Sequence, residues 1–344
     1  MDGIEKWRKS PRFRCWGLIV AAGSAQRYGQ ELPKQYQLIG DVPLLQFSLN
    51  CFNAVPDIVG MVVGISAIDQ WFHSLCQAPA KCLGVFIGPE IGDMACGEYG
   101  EGKMIEPENI LEFLNNEFIN INKNKKLKAL VTAGPTHEYI DPVRFISNES
   151  SGKQGYEIAL ELSRLGIKTT LISGPTNINY NNEIKVKKVT SGKEMFDAVK
   201  RTLPTDIAVC SAAVSDFKPL TRKKQKIKKK LKLEEIKLEH NPDILEFLGK
   251  NNRYKPKLLV GFSAETENII NNSMEKMQNK LCDIMVANDV SKKGVGFNTD
   301  FNEVIIIDKK GNTEKVKKSS KRFIASIVAR KIMNSFLDIK KNLN

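Results

Sequence analysis

The sequence of 344 residues has few histidines, no C-x-x-C motif and no long apolar segment. Its three histidines (His73, His137 and His240) lie far apart, which argues against a histidine-rich metal site. The seven cysteines are odd in number and widely spaced, which is typical of reduced thiols in a cytoplasmic protein rather than of a disulfide framework. No run approaches the roughly 18 consecutive apolar residues of a membrane span, so we expect no membrane partner.

Positive charge is in excess, since 52 Lys and Arg face 39 Asp and Glu and give a net charge of +13. This excess raises the alternative of a basic nucleic-acid-binding protein, whose affinity would fall steeply with salt. No nucleic-acid-binding module is recognisable, and a dense group of the basic residues lies between Lys218 and Lys237. We therefore expect these lysines to serve a small phosphorylated ligand, with no nucleic-acid partner.

The chain length predicts about two domains, at roughly 150 residues per domain. The polar, charged segment 120–128 is typical of a linker, and we place a domain boundary there. Beyond it, short apolar strands alternate with amphipathic helices, and segment 206–214 is apolar enough for a strand buried on both faces. This pattern predicts an α/β fold with a Rossmann-like, mostly parallel sheet.

Ligands of such a sheet gather where its strands end, so the loops that follow the strands are the candidate sites. The loop that ends at Ser150-Ser151-Gly152-Lys153 starts a helix and is able to hold a phosphate, although an ordinary capped loop is the alternative. The small side chains of segment 210–216 allow a sugar or a ring near the backbone, and Asp216 is a candidate hydrogen-bond acceptor. The lysine run 226–229 would neutralise charge on a polyphosphate, whereas most such runs are simply solvated.

Two further loops complete the candidate set. Residues 241–244 (Asn-Pro-Asp-Ile) open a helix, and residues 261–266 are followed by Lys276 and Lys280, which lie one helical turn apart. Phe262 in the second loop is either a core residue or a ring that stacks on a base.

The motifs TAGPT, YIDPVRFISNESSGKQGYEIA, SAAVSDFKP, KIKK, NPDIL, VGFSAET and VANDVS occur in this order. Together they resemble the phosphopantothenate–cysteine ligase (phosphopantothenoylcysteine synthetase) domain of bacterial coenzyme A biosynthesis, over residues ~125–340. The resemblance implies that CTP, assisted by Mg²⁺, activates the carboxylate of 4′-phosphopantothenate as an acyl-cytidylate and releases pyrophosphate. Cysteine then displaces CMP. Ligases of this family associate as dimers, so a homodimer is expected.

The same resemblance implies residue roles. Lys226, the first lysine of KIKK, assists acyl-cytidylate formation, and Asn148 assists handling of the intermediate. The residues that match the nucleotide-contact positions of the family are Cys210, Ser211, Ala212, Asp216, Lys226, Pro242, Asp243, Ile244, Leu245, Phe262, Lys276 and Lys280. No metal ligand is assigned.

Residues 88–107 (GPEIGDMACGEYGEGKMIEP) resemble the C-terminal flap of the flavin-dependent phosphopantothenoylcysteine decarboxylase. Cys96 matches the proton-donating cysteine of that enzyme. The flavin-binding half has no match in the sequence, and without a flavin the decarboxylation has no electron acceptor. We therefore predict that FMN and decarboxylase activity are absent and that Cys96 is vestigial.

Residues 17–65 resemble the start of 2-C-methyl-D-erythritol 4-phosphate cytidylyltransferase, in which Arg27 and Lys34 match residues that hold the CTP phosphates. The downstream half of that enzyme has no match, so this activity is only an alternative function. The same resemblance indicates that the apolar run 15–22 is a first strand rather than a secretory signal. The predicted organisation is a truncated cytidylyltransferase-like α/β fragment (1–85), a flap remnant with linker (86–124) and the ligase domain (125–344).

Overall fold

The chain divides into two compact units, Met1–Phe118 and Ile119–Asn344, in the computed structural model. The structure describes residues 15–21, 32–55, 58–65, 69, 71–76, 90–93, 99–103, 124–180, 184–228, 235–291 and 299–341. Within these residues, no helix is both long enough and apolar enough to cross a membrane.

The first unit contains a parallel pair of strands with a helix between them in sequence. Its elements are β1 (Cys15–Val20), β2 (Leu38–Ile39), β3 (Val42–Pro43), α1 (Leu44–Ala54), β4 (Ile58–Gly64), α2 (Phe72–Leu75), β5 (Glu90–Asp93) and β6 (Tyr99–Lys103). β1 pairs in parallel with β4, and the side chains of Tyr36, Leu49 and Met61 are fully buried beside them. The apolar run at the start of the chain therefore forms a strand, as the sequence predicts.

The second unit is built from alternating strands and helices. Its elements are β7 (Lys128–Ala133), β8 (Glu138–Tyr139), β9 (Phe145–Ile146), α3 (Lys153–Arg164), β10 (Lys168–Ser173), β11 (Lys185–Lys188), α4 (Gly192–Lys200), β12 (Ile207–Cys210), β13 (Phe217–Pro219), β14 (Leu238–His240), α5 (Ile244–Lys250), β15 (Leu258–Glu265), α6 (Ile269–Asn279), β16 (Ile284–Asp289), β17 (Phe301–Asp308), β18 (Thr313–Ser320) and α7 (Lys321–Lys341).

Eight of these strands form one sheet in the order β11-β10-β7-β12-β15-β16-β17-β18. The strands from β11 to β16 run parallel, and β17 and β18 join as an antiparallel extension. One face of the sheet packs on α3 and α7, and the other packs on α4, α5 and α6. The predicted α/β fold with a Rossmann-like, mostly parallel sheet is thus confirmed.

Helix starts follow the local chemistry of their sequences. The N-terminus of α4 is capped by Ser191, whose Oγ accepts the Glu194 N–H at 3.2 Å, as the capping-box spacing predicts. The N-terminus of α5 is capped by Asp243, whose Oδ1 accepts the Glu246 N–H at 2.8 Å. Capping at Asp243 fixes this residue at the edge of the sheet, where a ligand cavity opens.

Two features differ from the sequence-based expectation. β12 ends at Cys210, whereas an apolar strand to residue 214 is predicted, because the chain leaves the sheet there to line a cavity. The highly charged strand β18 is not predicted, because only Val316 of its eight residues is buried. A strand at the edge of a sheet needs few apolar side chains, and its lysines discourage pairing with another chain.

Candidate active site

The strand order reverses between β7 and β12, since β10 lies on one side of β7 and β12 on the other. Thr132 pairs with Cys210, so β7 and β12 reach their carboxyl ends together. Cys210 also pairs with Gly261, and β15 continues beyond this point to Glu265. Such a reversal leaves a crevice between the diverging loops. A cavity of about 890 Å³ opens at this edge.

The cavity gathers residues from loops that are far apart in sequence. The sequence-predicted residues on its wall are Asn148, Cys210, Ser211, Ala212, Asp216, Pro242, Asp243, Ile244, Leu245, Phe262, Lys276 and Lys280. The wall also contains Asn241 from the candidate loop 241–244. Wall residues that the sequence analysis did not assign individually include Gln154, Gly155, His240, Asn288, Asn302 and Lys321. Of the predicted ligase-site residues, Lys226 does not line the cavity.

The start of α3 lies directly against the loop that follows β12. Gly155 allows this approach, because a Cβ at this position would lie 2.3 Å from Ser211 Oγ and 2.7 Å from Ala133 Cβ. Ser211 Oγ donates to the Thr132 carbonyl oxygen at 2.7 Å, which ties the ends of β12 and β7 together. The first turn of α3 therefore forms part of the cavity wall, and Gly155 makes its position possible.

Asn148 connects two loops of the wall, because its Nδ2 donates to the carbonyl oxygen of Val214 at 3.0 Å. This hydrogen bond fixes the amide between the loop before α3 and the loop after β12. The Asn148 side-chain oxygen thereby has a defined position at the cavity, where it is available to accept a hydrogen bond from a ligand.

One end of the cavity holds a lysine between two carboxylates. Lys280 Nζ lies 3.0 Å from Asp243 Oδ2 and 2.7 Å from Glu246 Oε2. The hydrogen bond that Lys280 donates to Glu246 raises the pKa of Lys280, and the hydrogen bonds that Glu246 accepts from Lys250 and Lys280 lower the pKa of Glu246 to about 2. Lys280 is therefore a fixed cation, and its partner Glu246 is ionised at neutral pH.

The cavity also contains Lys321, whose surroundings differ from those of Lys280. Lys321 is the first residue of α7 and is only 6% exposed. Burial lowers its pKa, the positive charge of Lys153 lowers it further, and Asp300 raises it by less. Among the described residues, no carboxylate forms an ion pair with its ammonium group, since Asp300 pairs with Lys153 instead.

The thiol of Cys210 lies at the cavity wall but is not activated. Burial raises its pKa well above the ordinary value, and the nearby Cys282 and Asp243 raise it further. The group remains a neutral thiol at physiological pH, and a neutral thiol is a poor nucleophile. The wall position of Cys210 is therefore not suited to covalent catalysis.

Lys226 is exposed and belongs to a segment that is attached to the loop before α3. Asp141 Oδ2 accepts the N–H of Ile227 at 3.1 Å, and Arg144 Nη1 donates to the Ile227 carbonyl oxygen at 3.4 Å. Burial would raise the pKa of Asp141, but backbone N–H groups and the Arg144 guanidinium hold it below its ordinary value. The ionised Asp141 thus fixes the residue next to Lys226, on the loop that also carries Asn148.

The residues predicted to be vestigial lie in the first unit. Lys34 is exposed and starts the short 3₁₀ helix Lys34–Tyr36. Arg27 and Cys96 lie outside the described residues, so their roles stay predictions.

A mostly parallel sheet with a cavity at its point of strand reversal defines the class of doubly wound α/β proteins, which bind their ligands in that crevice. The chain belongs to the family described as DNA/pantothenate metabolism flavoprotein, C-terminal domain, which it matches over residues 124–336.

Relatives of this chain include proteins of coenzyme A biosynthesis. The chain is 39% identical over 243 residues to the coenzyme A biosynthesis bifunctional protein CoaBC of Haemophilus influenzae, which covers 70% of this chain and 60% of that protein. It therefore spans less than two thirds of that relative. It is also 38% identical over 283 residues to a cysteine/cysteine sulfinic acid decarboxylase from an unknown prokaryotic organism, which covers 77% of each chain.

Among solved structures, the C-terminal domain of a coenzyme A biosynthesis bifunctional protein CoaBC superposes with a TM-score of 0.53 at 33% identity. The match covers 62% of this chain and 99% of that domain. The predicted resemblance of residues ~125–340 to the ligase domain of this bifunctional protein is thereby confirmed. The resemblances predicted for residues upstream of 125, and the three-part division of the chain, stay predictions.

Proposed function

We propose that residues 125–344 form a ligase of coenzyme A biosynthesis that joins 4′-phosphopantothenate to cysteine, with CTP as the activating nucleotide. The observation that carries this proposal is the convergence of the motif loops. The loops around Asn148, Asp216, Asp243 and Phe262 contribute to one cavity, although they are far apart in sequence. The similarity to the CoaBC proteins supports a role in coenzyme A biosynthesis.

The reaction has two steps. A carboxylate oxygen of 4′-phosphopantothenate bonds to the α-phosphorus of CTP while the bond to pyrophosphate breaks. The amine of cysteine then bonds to the acyl carbon, CMP leaves, and the amine loses a proton. Both steps place negative charge on phosphate oxygens, so fixed cations near the nucleotide lower both barriers.

The cavity wall provides the groups that these steps need. Lys280, held between its two carboxylates, faces the nucleotide phosphates together with Lys276. The exposed Asp216 accepts a hydrogen bond from the ribose, and the half-buried ring of Phe262 stacks on the base. Asn148, fixed by Val214, holds the acyl-cytidylate for attack by cysteine.

Lys226 supplies a further cation for the triphosphate in this proposal. Its neighbour Ile227 is attached to Asp141 on the loop that leads to Asn148, so the two residues share one support. We propose that Lys226 acts in the first step, where charge builds up on the leaving pyrophosphate.

Mg²⁺ fits this cavity as a partner of the nucleotide. The described residues contain no group of three or more His, Cys, Asp or Glu side chains able to hold a metal by themselves. Mg²⁺ is commonly held by one or two carboxylates together with substrate phosphates, and Glu149 and Asp216 on the wall would provide the carboxylates. When bound, Mg²⁺ neutralises part of the triphosphate charge.

The proposal is tested by supplying the purified full chain with 4′-phosphopantothenate, CTP and Mg²⁺, with and without cysteine. We expect pyrophosphate release in both cases, with CMP released only when cysteine is present. Replacement of CTP by ATP measures the nucleotide preference. A chain that releases neither pyrophosphate nor CMP under these conditions would refute the ligase function.

The role of Lys226 is tested by Lys226→Gln, for which we expect pyrophosphate release to fall by on the order of 100-fold. Lys223→Gln is the matched control, because Lys223 is an exposed lysine of the same segment whose backbone N–H bonds to the Ile140 carbonyl at 2.9 Å. Equal activity of the two variants would remove Lys226 from the first step and leave the ligase function in place.

A further inference from the structure

Asn302 is a buried polar residue at a position of β17 where its neighbours on the same face are apolar. Burial alternates along the start of the strand, so that Asn302, Val304 and Ile306 are the buried residues. Asn302 is 4% exposed, as against 1% for Val304 and 0% for Ile306. A buried amide destabilises a fold unless it is hydrogen-bonded, and an aliphatic side chain would fill the same space without that requirement. Packing alone therefore does not explain an asparagine at this position.

Two hydrogen bonds determine how the amide of Asn302 is oriented. Its Oδ1 accepts the backbone N–H of Glu303 at 2.9 Å, and its Nδ2 donates to Asn288 Oδ1 at 2.7 Å. A backbone N–H is only a donor, so the amide oxygen has to face Glu303 and the amide nitrogen has to face Asn288. The orientation of Asn302 is thus set by the main chain of β17.

Asn302 in turn determines the orientation of Asn288 on β16. Because Asn302 offers a donor, Asn288 directs its oxygen towards Asn302 and its nitrogen away from it. Asn288 Nδ2 donates to the carbonyl oxygen of Ser263 on the neighbouring strand β15 at 3.3 Å. This chain of hydrogen bonds, the asparagine relay, runs from Glu303 through Asn302 and Asn288 to Ser263. A main-chain group fixes each of its ends, so only one orientation of the two amides forms all three bonds.

Asn288 brings the asparagine relay to the cavity. Asn288, Asn302 and Ser263 all contribute to the cavity wall, where the Asn288 side chain is half-buried. The amide nitrogen of an asparagine carries two hydrogens, and the bond to Ser263 uses one of them. Within the part of the chain that the structure describes, Asn288 Nδ2 donates to no other group. Its second hydrogen is therefore available to an acceptor oxygen of a ligand.

We propose that Asn302 is a positioning residue for substrate binding, which orients Asn288 so that Asn288 presents an N–H rather than a carbonyl oxygen to the substrate. Asn288 contacts the substrate, and Asn302 acts only through Asn288. The identity of the substrates rests on the proposed ligase function, whereas the asparagine relay rests on the hydrogen bonds above. The acceptor oxygen belongs to CTP or to 4′-phosphopantothenate, since both carry several such oxygens.

The test is a double-substitution cycle in which calorimetry measures binding to the full chain, separately for CTP and for 4′-phosphopantothenate. We expect Asn288→Ala to weaken at least one of the two ligands by about 3- to 10-fold, as for the loss of one hydrogen bond. Asn302→Leu is similar in size but has no donor, so it should weaken the same ligand by about 3- to 10-fold. In the Asn288→Ala background, Asn302→Leu should change this affinity by less than about twofold. The ligand that weakens identifies the source of the acceptor oxygen.

Ser273→Ala is the matched control, because it also removes a buried hydrogen bond close to the asparagine relay. Ser273 is 0% exposed, its Oγ lies 2.6 Å from Ser263 Oγ, and it is not part of the cavity wall. This variant should lose stability in denaturant unfolding but bind both ligands like the original chain. If Asn302→Leu does not fold, Asn302→Val introduces the side chain that the next buried position already has and carries the same comparison.

An equal loss of affinity from Asn302→Leu with and without the Asn288 side chain would overturn the positioning role, because an effect that does not pass through Asn288 adds to that of Asn288→Ala. Unchanged affinity of Asn288→Ala or of Asn302→Leu for both ligands overturns it as well. These outcomes leave the ligase function in place. Affinity that depends on this pair in a chain without turnover supports the positioning role and overturns the ligase function alone. A chain that binds neither ligand overturns both.

Discussion

The cavity has two cationic ends that are built in opposite ways. Lys280 is held by Asp243 and Glu246, so its charge is balanced before any ligand arrives. Lys321 is buried beside two helix N-termini, and no carboxylate of the described residues pairs with it. The cation at Lys280 thus has two carboxylates of its own, whereas Lys321 has only the influence of Asp300, which pairs with Lys153. One cavity combines a paired cation with a buried cation that has no ion-pair partner among the described residues.

Among the substitutions that test this comparison, Gly155→Ala should have the largest effect on stability and ligand binding, because it changes the position of the first turn of α3. The added Cβ would lie 2.3 Å from Ser211 Oγ, so α3 has to shift away from the sheet. Overpacking of this kind costs about 1–3 kcal/mol, and the displaced start of α3 should also weaken the binding of CTP in the cavity. Denaturant unfolding and calorimetry measure the two effects.

Gly64→Ala is the control for this substitution, because its added Cβ would have its nearest neighbours at 3.9 Å and 4.0 Å. We expect a small change in stability and none in ligand affinity. Equal loss of stability in the two variants would mean that the packing of Gly155 against Ser211 is not tight in solution.

The second largest effect is expected from Lys280→Met, which leaves Asp243 without its lysine partner and Glu246 paired only with Lys250. We expect the KM for CTP to rise by about 10- to 100-fold, because an attractive contact is replaced by repulsion of the triphosphate. The melting temperature should change little, since exposed ion pairs contribute little to stability.

Lys250→Met is the matched control for Lys280→Met. Lys250 also bonds to Glu246, but it does not line the cavity. A rise in the KM for CTP as large as that of Lys280→Met would show that the charge of Glu246, rather than Lys280 itself, controls binding. A normal KM in both variants would remove this end from the nucleotide site.

The smallest expected effect is a difference in the pH dependence of ligand binding between the two lysines, whose pKa values are shifted in opposite directions. The hydrogen bond that Lys280 donates to Glu246 raises the pKa of Lys280, and burial lowers the pKa of Lys321, both from the ordinary value of 10.5. As pH rises, Lys321 therefore loses its proton before Lys280 does. Each variant is compared with the original chain by the ratio of their ligand affinities. The advantage of the original chain over Lys321→Met should disappear at a lower pH than its advantage over Lys280→Met.

The pKa of Glu246, the carboxylate partner of Lys280, shifts in the opposite direction, to a lower value. Glu246 has a folded pKa of about 2 against an ordinary value of 4.5, so its pairing is complete above pH 4.5 and is lost as pH falls towards 2. Between about pH 5 and 9 the affinity ratio of the original chain to Lys280→Met should therefore be independent of pH, because the titration of the CTP phosphates is common to both chains. Affinities of the original chain and of the two variants, measured from pH 5 to 10, check both predictions. If the advantage over Lys280→Met disappeared at a lower pH than the advantage over Lys321→Met, the predicted order of the two lysines would be wrong.

The parts of the fold that the sequence predicts are those set by burial and local chemistry. The central strands are apolar because both of their faces are covered, and the cap at Ser191 follows from the spacing to Glu194. The loops at the strand ends are also predictable, because parallel strands bring their carboxyl ends to one edge. This is why residues as distant as Asn148 and Lys280 are found on one cavity wall.

The parts that the sequence does not predict depend on contacts between distant segments. Lys321 follows a cap residue in an ordinary helix start, and only its packing against Gln154 and its burial mark it as a candidate. The one local signal is a lysine at the first helical position with no acidic residue in the first turn. The position of Lys226 similarly depends on Asp141, which is far away in the sequence.

The buried thiol of Cys210 has a consequence for redox chemistry in the cavity. Thiol–disulfide exchange requires a thiolate, and burial keeps Cys210 protonated at physiological pH. A cavity that admits free cysteine, as proposed, therefore does not trap this reactant, or its oxidised form cystine, as a mixed disulfide on its own wall. Cys210 allows a sulfur-bearing substrate to enter and leave without cross-linking to the protein.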